Sequence, residues 1–318
     1  MRALVTGVAG FIGSHLAEAL TARGDSVRGV DSFTPYYERA VKESNLASLR
    51  ISPRCELVEA DLRSVDLAEL LDGIDVVFHQ SAQAGVRHSW SNGFVDYVSH
   101  NVLVTQQLLE TILTARPSAR VVYASSSSVY GKQERYPTRE TDVPAPFSPY
   151  GVTKLAAEHL CTLYAANWNL HTTSLRYFTV YGPRQRPDMS VHRLCEAALT
   201  AEAFPRYGDG TQIREFTYVD DIVRANLLAA DADIPPGRFM NVSGGSEISL
   251  NDLVVLVEAL SGEPVKIETR AAQAGDAPRN GGAIDVAQVL LGWEPRVALR
   301  DGVAAQLAWH RSREQLAS

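Results

Sequence analysis

The sequence predicts an α/β protein, a doubly wound parallel sheet followed by a smaller mixed α/β lobe. Three observations carry this expectation. Short apolar runs rich in β-branched residues alternate with helix-period segments through the first half, a glycine-rich turn follows the first run, and past residue 180 the pattern loosens into Pro- and Gly-rich loops. Continuous β-branched runs belong to strands buried on both faces, and the helices between them are the crossovers that parallel strands require.

In chain order, ALVT is the first strand and FIGSHLAEAL the first helix, followed by strands at SVRGVD, ELVEA and DVVFHQ. A long amphipathic stretch from Phe94 to Leu113 precedes the strand RVVYAS, and a helix from about Pro149 to Trp168 feeds the strand HTTSLRY. The segments YGPRQRPDM and YGDGTQ read as loops. SLNDLVVLVEALSG is a helix stopped by Gly262, and another runs near Leu299 to Leu316. The expected division is a nucleotide-binding Rossmann domain over 1–178, with a segment near 219–243 returning to it. Residues 179–318 are mainly a substrate-binding lobe. A ligand belongs in the cleft outside the carboxyl ends of the parallel strands.

Bulk properties narrow the function. The chain has 318 residues, 45% of them hydrophobic, enough for one large core or two small ones. No run reaches the roughly 18 apolar residues of a membrane span. Met1 leads within two residues into an apolar strand, without a basic region and cleavage site, so a cytoplasmic protein is expected. Cys55, Cys161 and Cys195 are odd in number and widely spaced, which fits reduced thiols and neither a disulfide framework nor a metal cluster. A net charge of −7 argues against nucleic acid and anionic lipid as partners, while leaving room for a local basic pocket.

TGVAGFIGSHL places Gly7, Gly10 and Gly13 at three-residue intervals between the first strand and the first helix. The first glycine suits a tight turn, the second a close approach of backbone to a pyrophosphate, and the third close packing of helix on strand. A structural turn without a ligand has the same spacing. Asp31 adds a second signal: it ends the second strand, where a carboxylate accepts both ribose hydroxyls and repels a 2′-phosphate, so NAD is the expected cofactor. Asp61 after the third strand falls where the adenine would lie, a position that also fits a solvated carboxylate or a helix N-cap.

The strand RVVYASSSSVYG ends in four hydroxyls, and SPYGVTK follows with Tyr150 and Lys154 four apart on one helix face. An ammonium one turn from a phenol is expected to lower the phenol's pKa from about 10 and make it a base toward a sugar hydroxyl. Ser126 would hold the same hydroxyl. Tyr-x-x-x-Lys also arises on ordinary helix surfaces; the glycine turn, the aspartate and the serines at a strand end favour the catalytic reading. His79 and His192 lack metal-ligand spacing and read as structural.

With TGVAGFIGSHL, SAQAGVRHS, ASSSSVYG, SPYGVTK, RYFTVYGPRQRPDM and REFTYVDDIV, the chain resembles the extended short-chain dehydrogenase/reductase superfamily over essentially its whole length. Within that superfamily it is most similar to the NAD-dependent sugar-nucleotide epimerases, and among them to UDP-glucuronate 4-epimerases. The resemblance implies oxidation of the sugar at C4 by a tightly held NAD, rotation of the keto sugar and return of the hydride to the opposite face. It makes Tyr150 the base and acid, Lys154 its partner and nicotinamide-ribose ligand, and Ser126 the hydroxyl partner. The cofactor set is then Gly7, Gly10, Phe11, Ile12, Gly13, Asp31, Asp61, Leu62, Ser81, Tyr150, Lys154 and Tyr177.

What the site lacks separates the relatives. Dehydratases of the superfamily carry an acid pair where this chain has Ser127 and Ser128. UDP-glucuronate decarboxylases carry glutamate at the position of Ser128 and asparagine at that of Thr179. Both differences favour epimerisation. Ser127, Ser128, Thr179 and Arg186 are the candidates to grip a sugar carboxylate, although Arg184 and Arg186 also fit a solvated basic loop. Arg87 is a further anion ligand or a surface ion pair. By resemblance Arg193, Arg214 and Arg279 hold the nucleotide diphosphate, with Arg214 the firmest correspondence. The stretch AQAGDAPRN departs from the relatives at Gln273 and Ala274. Tyr177 and Phe178 suit either nicotinamide packing or the core. The resemblance also implies a homodimer through the two long helices, for which Val102, Leu108, Leu155 and Leu160 are candidate contacts or internal core. Another UDP-hexose epimerase, a UDP-glucuronate decarboxylase and a non-catalytic NAD sensor are the alternatives.

Overall fold

Strand residues of the first half bury alternate side chains in two different apolar clusters, which fixes a sheet covered on both faces. Ala3, Val5, Phe78 and Val122 pack with Leu16, Ala17 and Leu20 of the first helix, whereas Leu4, Val77, Val121 and Tyr123 pack with Leu108, Ile112, Ala157 and Cys161 on the other side. The period of two along each strand produces this division. Leu4, Leu16, Phe78 and Val77 are fully buried, each worth about 1.5–3 kcal/mol relative to exposure.

The computed structural model describes residues 1–317, with side chains through 313. Its main sheet has seven strands, Arg238–Val242, Thr172–Tyr177, Arg120–Ser126, Val76–His79, Arg2–Thr6, Ser26–Asp31 and Cys55–Glu59 in spatial order. All pair in parallel. This is the Rossmann arrangement extended by one edge strand, contributed when the chain returns after leaving the sheet at Tyr177. The helix Val219–Asp231 precedes that strand and packs beside Phe11–Arg23. Strand order reverses between Arg2–Thr6 and Val76–His79, and ligands bind at such a switch point.

The remaining strands form two small sheets. Val180–Tyr181 pairs in parallel with Ile213–Tyr218, which pairs antiparallel with Ser246–Ser249; Phe204–Tyr207 pairs in parallel with Ile267–Arg270. Helices Ser190–Thr200, Leu250–Ser261 and Leu299–Ala317 cover them. The predicted helix Pro149–Trp168 forms over those residues, with Ser148 accepting from the Gly151 N–H as its N-cap. The predicted helix from Phe94 contains an irregularity that periodicity did not reveal: Val98–Leu103 is a π-helical stretch between α-helical Phe94–Tyr97 and Val104–Ala115.

Cys161 and Cys195 are buried and Cys55 partly so, all three unpaired. His79 sits between the hydroxyls of Thr6 and Thr105, and burial holds it neutral, its pKa pushed down to about 3. His192 donates through Nδ1–H to the Gln185 carbonyl at 2.7 Å. No helix among the described residues is long and apolar enough to cross a membrane, and no cluster of His, Cys, Asp and Glu among them fits a metal ion.

Candidate active site

A trough runs across the carboxyl ends of the parallel strands and widens into a second chamber of about 660 Å³. Phe11, Ile12, Tyr150, Tyr177 and Arg186 line both parts. Tyr150 therefore stands at the junction of two compartments, one over the sheet and one against the small sheets.

The first compartment has the shape of a dinucleotide cradle. Gly7 adopts φ +70°, and a Cβ there would press on the Ser81 backbone. A Cβ at Gly13 would overlap the Gly7 carbonyl oxygen. Gly10 caps Phe11–Arg23 without any side-chain cap, which leaves the first-turn N–H groups available to an anion. Asp31 is held in place by two backbone donors, Ala9 N–H at 3.0 Å and Phe33 N–H at 2.8 Å. Ser81 Oγ, facing this trough, is buried without a hydrogen-bond partner among the described residues. Leu62 closes the compartment. Asp61 also lines it, but its carboxylate is engaged by the Arg63 guanidinium at 2.6 Å and by the Arg63 N–H. Lys42, which the sequence reading passed over, is a buried lysine in the same wall, donating to the Thr34 carbonyl at 2.8 Å.

Tyr150 and Lys154 share the buried face of Pro149–Trp168, and both line the first compartment. Ser126 ends the strand Arg120–Ser126, and its Oγ accepts from Ser128 N–H at 3.1 Å, so its own proton is left for another partner. The charge pattern differs from the expected one. Burial raises the Tyr150 phenol above its ordinary value, and the opposing influences are the Arg186 guanidinium and the Ser126 hydroxyl rather than Lys154. Burial pushes Lys154 down to about 7, against the pull of Cys161 and Glu158. Its ammonium sits 4.6 Å above the Tyr123 ring. Low dielectric penalises both charged forms at once, so spacing on a helix did not predict the direction.

In the second chamber, Ser127 and Ser128 lie on a short 3₁₀ turn just past Ser126, facing the same space as Thr179 and Arg186. Arg186 is clasped by Asp188, with two contacts of 2.9 Å. Tyr36 donates to the same Asp188 at 3.2 Å. Arg87, Arg193 and Arg214 also line the chamber. Arg87 lies over the Tyr207 ring and pairs with Asp276 at 3.2 Å. Arg193 and Arg214 form no ion pair among the described residues.

Two arginines fall elsewhere. Arg279 turns away from the chamber, its guanidinium on Glu247 and over Tyr136. Residues 279–280 run extended beside Ile213, and consecutive side chains of an extended segment point to opposite sides, which sends Asn280 inward instead. Arg184, at φ +64°, swings back to Glu18 and Ser14 of the first helix. Tyr177 lines both compartments, with its hydroxyl in a network with Gln80 and Asn226, whereas Phe178 is core, packed with Val129 and Tyr130.

The π-helical stretch supplies a positioning element. Asn101 within it accepts from Gln83 N–H at 2.7 Å, donates to the Gln83 carbonyl at 3.1 Å, and donates to Thr153 Oγ at 3.0 Å. Thr153 in turn donates to the Tyr150 carbonyl. Asn101 thus ties the loop after Val76–His79 to the Tyr150 helix.

The family model described as "NAD dependent epimerase/dehydratase family" matches residues 3–243. The chain is 35% identical to a UDP-glucuronate 4-epimerase of Thermodesulfobacterium geofontis, covering 98% of this chain and 97% of that protein. It is 39% identical to an uncharacterized UDP-glucose epimerase of Bacillus subtilis over 97% of this chain and 98% of that one. Among solved structures, the UDP-glucuronic acid 4-epimerase of Bacillus cereus, in complex with UDP-glucuronic acid and NAD, superposes with a TM-score of 0.95 at 40% identity, over 98% of this chain and 100% of that chain.

Proposed function

The chain belongs to the NAD dependent epimerase/dehydratase family, and from that premise we propose that it interconverts UDP-glucuronate and UDP-galacturonate by inverting C4 of the sugar. The observation that carries this reading is the lining around Tyr150. Ser127, Ser128, Thr179 and Arg186 face one chamber, and neither serine position holds the carboxylate that an elimination or a decarboxylation would use.

The first compartment fits NAD: a cradle that side chains would fill, uncapped helix N–H groups, an aspartate for the ribose hydroxyls, and a buried Ser81 Oγ in need of a partner. Gly7, Gly10, Phe11, Ile12, Gly13, Asp31, Leu62 and Ser81 would hold it, with Asp61 and Tyr177 at its edges. When bound, it supplies the hydride acceptor, and later the donor, for C4.

The remaining work belongs to the chain. Tyr150 takes the proton from the C4 hydroxyl as that carbon is oxidised, and Ser126 donates to the same oxygen. Lys154 holds the nicotinamide ribose beside them. Once the ketone has turned, Tyr150 returns the proton. The oxidised sugar is a β-keto acid. Loss of carbon dioxide would break C5–C6 and send its electron pair into a C4–C5 enolate, which requires that bond to stand perpendicular to the carbonyl plane. Charge-assisted hydrogen bonds from Arg186, with the hydroxyls of Ser127, Ser128 and Thr179, hold the carboxylate away from that alignment. Arg87, Arg193 and Arg214 form the basic end that receives the diphosphate, the local pocket that a net charge of −7 permits. Residues 1–178, with the returning segment, carry the cofactor, and most of 179–318 carries the UDP-sugar.

Two copies of this chain pair through their long helices. Val95, Leu103, Val152 and Leu163 lie on those helices 72%, 53%, 48% and 51% exposed, an apolar face that a four-helix contact would cover. Leu108, in contrast, is core at 1% exposure. The protein acts in the cytoplasm, where its unpaired thiols stay reduced.

Incubation with UDP-glucuronate followed by anion-exchange separation is expected to give a UDP-galacturonate peak. A UDP-xylose peak, or no conversion, would overturn the reading in favour of a decarboxylase or an epimerase of another UDP-hexose.

A further inference from the structure

Thr179 lies between the strand Thr172–Tyr177 and the small sheet, its carbonyl accepting from Thr217 N–H at 3.0 Å. Its side-chain oxygen meets a single partner among the described residues: Asn280 Nδ2, at 3.2 Å. The other end of that amide is fixed, because Asn280 Oδ1 accepts from Glu215 N–H at 2.8 Å. A backbone N–H can only donate, so the atom facing it is the oxygen and the atom facing Thr179 is the nitrogen. The frame behind Asn280 is firm. Its own N–H donates to the Ile213 carbonyl, and the buried Glu215 carboxylate ties Gly245 N–H to Gly282 N–H on either side.

An amide nitrogen has no lone pair to offer, so Thr179 Oγ1 must accept from it, and the threonine proton is turned elsewhere. No described residue takes that proton, and both side chains line the second chamber. A free threonine hydroxyl is indifferent between donating and accepting. This one is set as a donor, and the partner that suits a fixed donor best is a group that only accepts, an ionised carboxylate. We propose that Asn280 is a positioning residue that sets the Thr179 hydroxyl as a hydrogen-bond donor toward the C6 carboxylate of the sugar. The inference rests on the carboxylate reading of the chamber given above.

The test is a double-mutant cycle between the two positions, read in steady-state kinetics on UDP-glucuronate. Asn280→Asp keeps an oxygen for Glu215 N–H but puts an acceptor beside Thr179, which draws the hydroxyl proton away from the chamber. Asn280→Ala simply releases the hydroxyl. The expected loss in kcat/KM is about 10- to 100-fold for Asn280→Asp and about 3- to 10-fold for Asn280→Ala, mostly through KM. Thr179→Val should also impair the enzyme, and in that background either change at position 280 should cost less than about twofold further, because the group it acts through is gone. The Kd of UDP, which has no sugar, should be unchanged in every variant.

Equal losses at position 280 in both backgrounds would mean charge repulsion or general damage, and would overturn the inference, as would lost UDP binding. Should Asn280→Asp fail to fold, the Asn280→Ala cycle decides by the same criterion. A Thr179→Val enzyme as active as the parent would overturn the carboxylate contact at Thr179 itself, and this inference with it; an impaired Thr179→Val beside a harmless position 280 overturns the inference alone.

Discussion

Tyr150→Phe is expected to lower kcat by about 10²- to 10⁴-fold while leaving the sugar nucleotide and NAD bound, because it deletes one proton-transfer group and little else. Tyr150 is the phenol at the junction of the two compartments, beside Ser126, whose Oγ already accepts from Ser128 N–H. Loss of the oxygen leaves the C4 hydroxyl with a donor at hand and no base. Steady-state turnover alongside calorimetric titration of UDP-glucuronate separates the two effects. Turnover at the parent rate would remove the phenol from the chemistry and return the non-catalytic NAD sensor to consideration.

Arg186→Met is expected to be nearly as damaging, by a different route. Arg186 acts on both the proposed carboxylate and the proposed base: it lines both compartments, and its charge opposes the upward push of burial on Tyr150. Removing it also leaves Asp188 unpaired at the chamber wall, a negative charge facing a negative substrate. Truncating one partner of a close charge pair typically costs about 2–4 kcal/mol, or about 30- to 1,000-fold in kcat/KM. The pH profile gives a signature that simple loss of binding would not. Without the guanidinium the phenolate is less favoured, Tyr150 titrates higher, and the acid limb of kcat moves to higher pH. A released carboxylate should also let some β-keto acid lose carbon dioxide, so a UDP-pentose should appear beside the epimer. An unshifted limb with no UDP-pentose would remove Arg186 from both proposed roles.

The features legible in the sequence were those set by short spacings. Gly7, Gly10 and Gly13 act within a single turn, Asp31 closes the strand that follows the first helix, and Tyr150 and Lys154 are neighbours on one helix. Each of these relations survives whatever the rest of the chain does. The fold was legible for the same reason, since alternating burial along Leu4–Val5 or Val121–Val122 needs only a period of two.

Relations that depend on distant segments were not legible. Asn280 rather than Arg279 faces the chamber because residues 279–280 lie extended against Ile213, a pairing between segments 66 positions apart whose register no local pattern records. Arg184 and Arg186 stand two apart in one loop, yet the left-handed backbone at Arg184 sends the first to Glu18 while the second remains in the chamber. The π-helical stretch that aims Asn101 at Gln83 and Thr153 lies inside an unbroken apolar period. The direction of the Tyr150 and Lys154 shifts depends on burial, which spacing on a helix face does not supply.

The central claim is reversible hydride chemistry at C4 with the carboxylate retained, and deuterium tests it directly. UDP-glucuronate labelled with deuterium at C4 should be converted to UDP-galacturonate that carries the label at C4, as read by proton NMR and mass spectrometry. Recovery of a UDP-pentose, loss of the label from C4, or unchanged substrate would contradict the account.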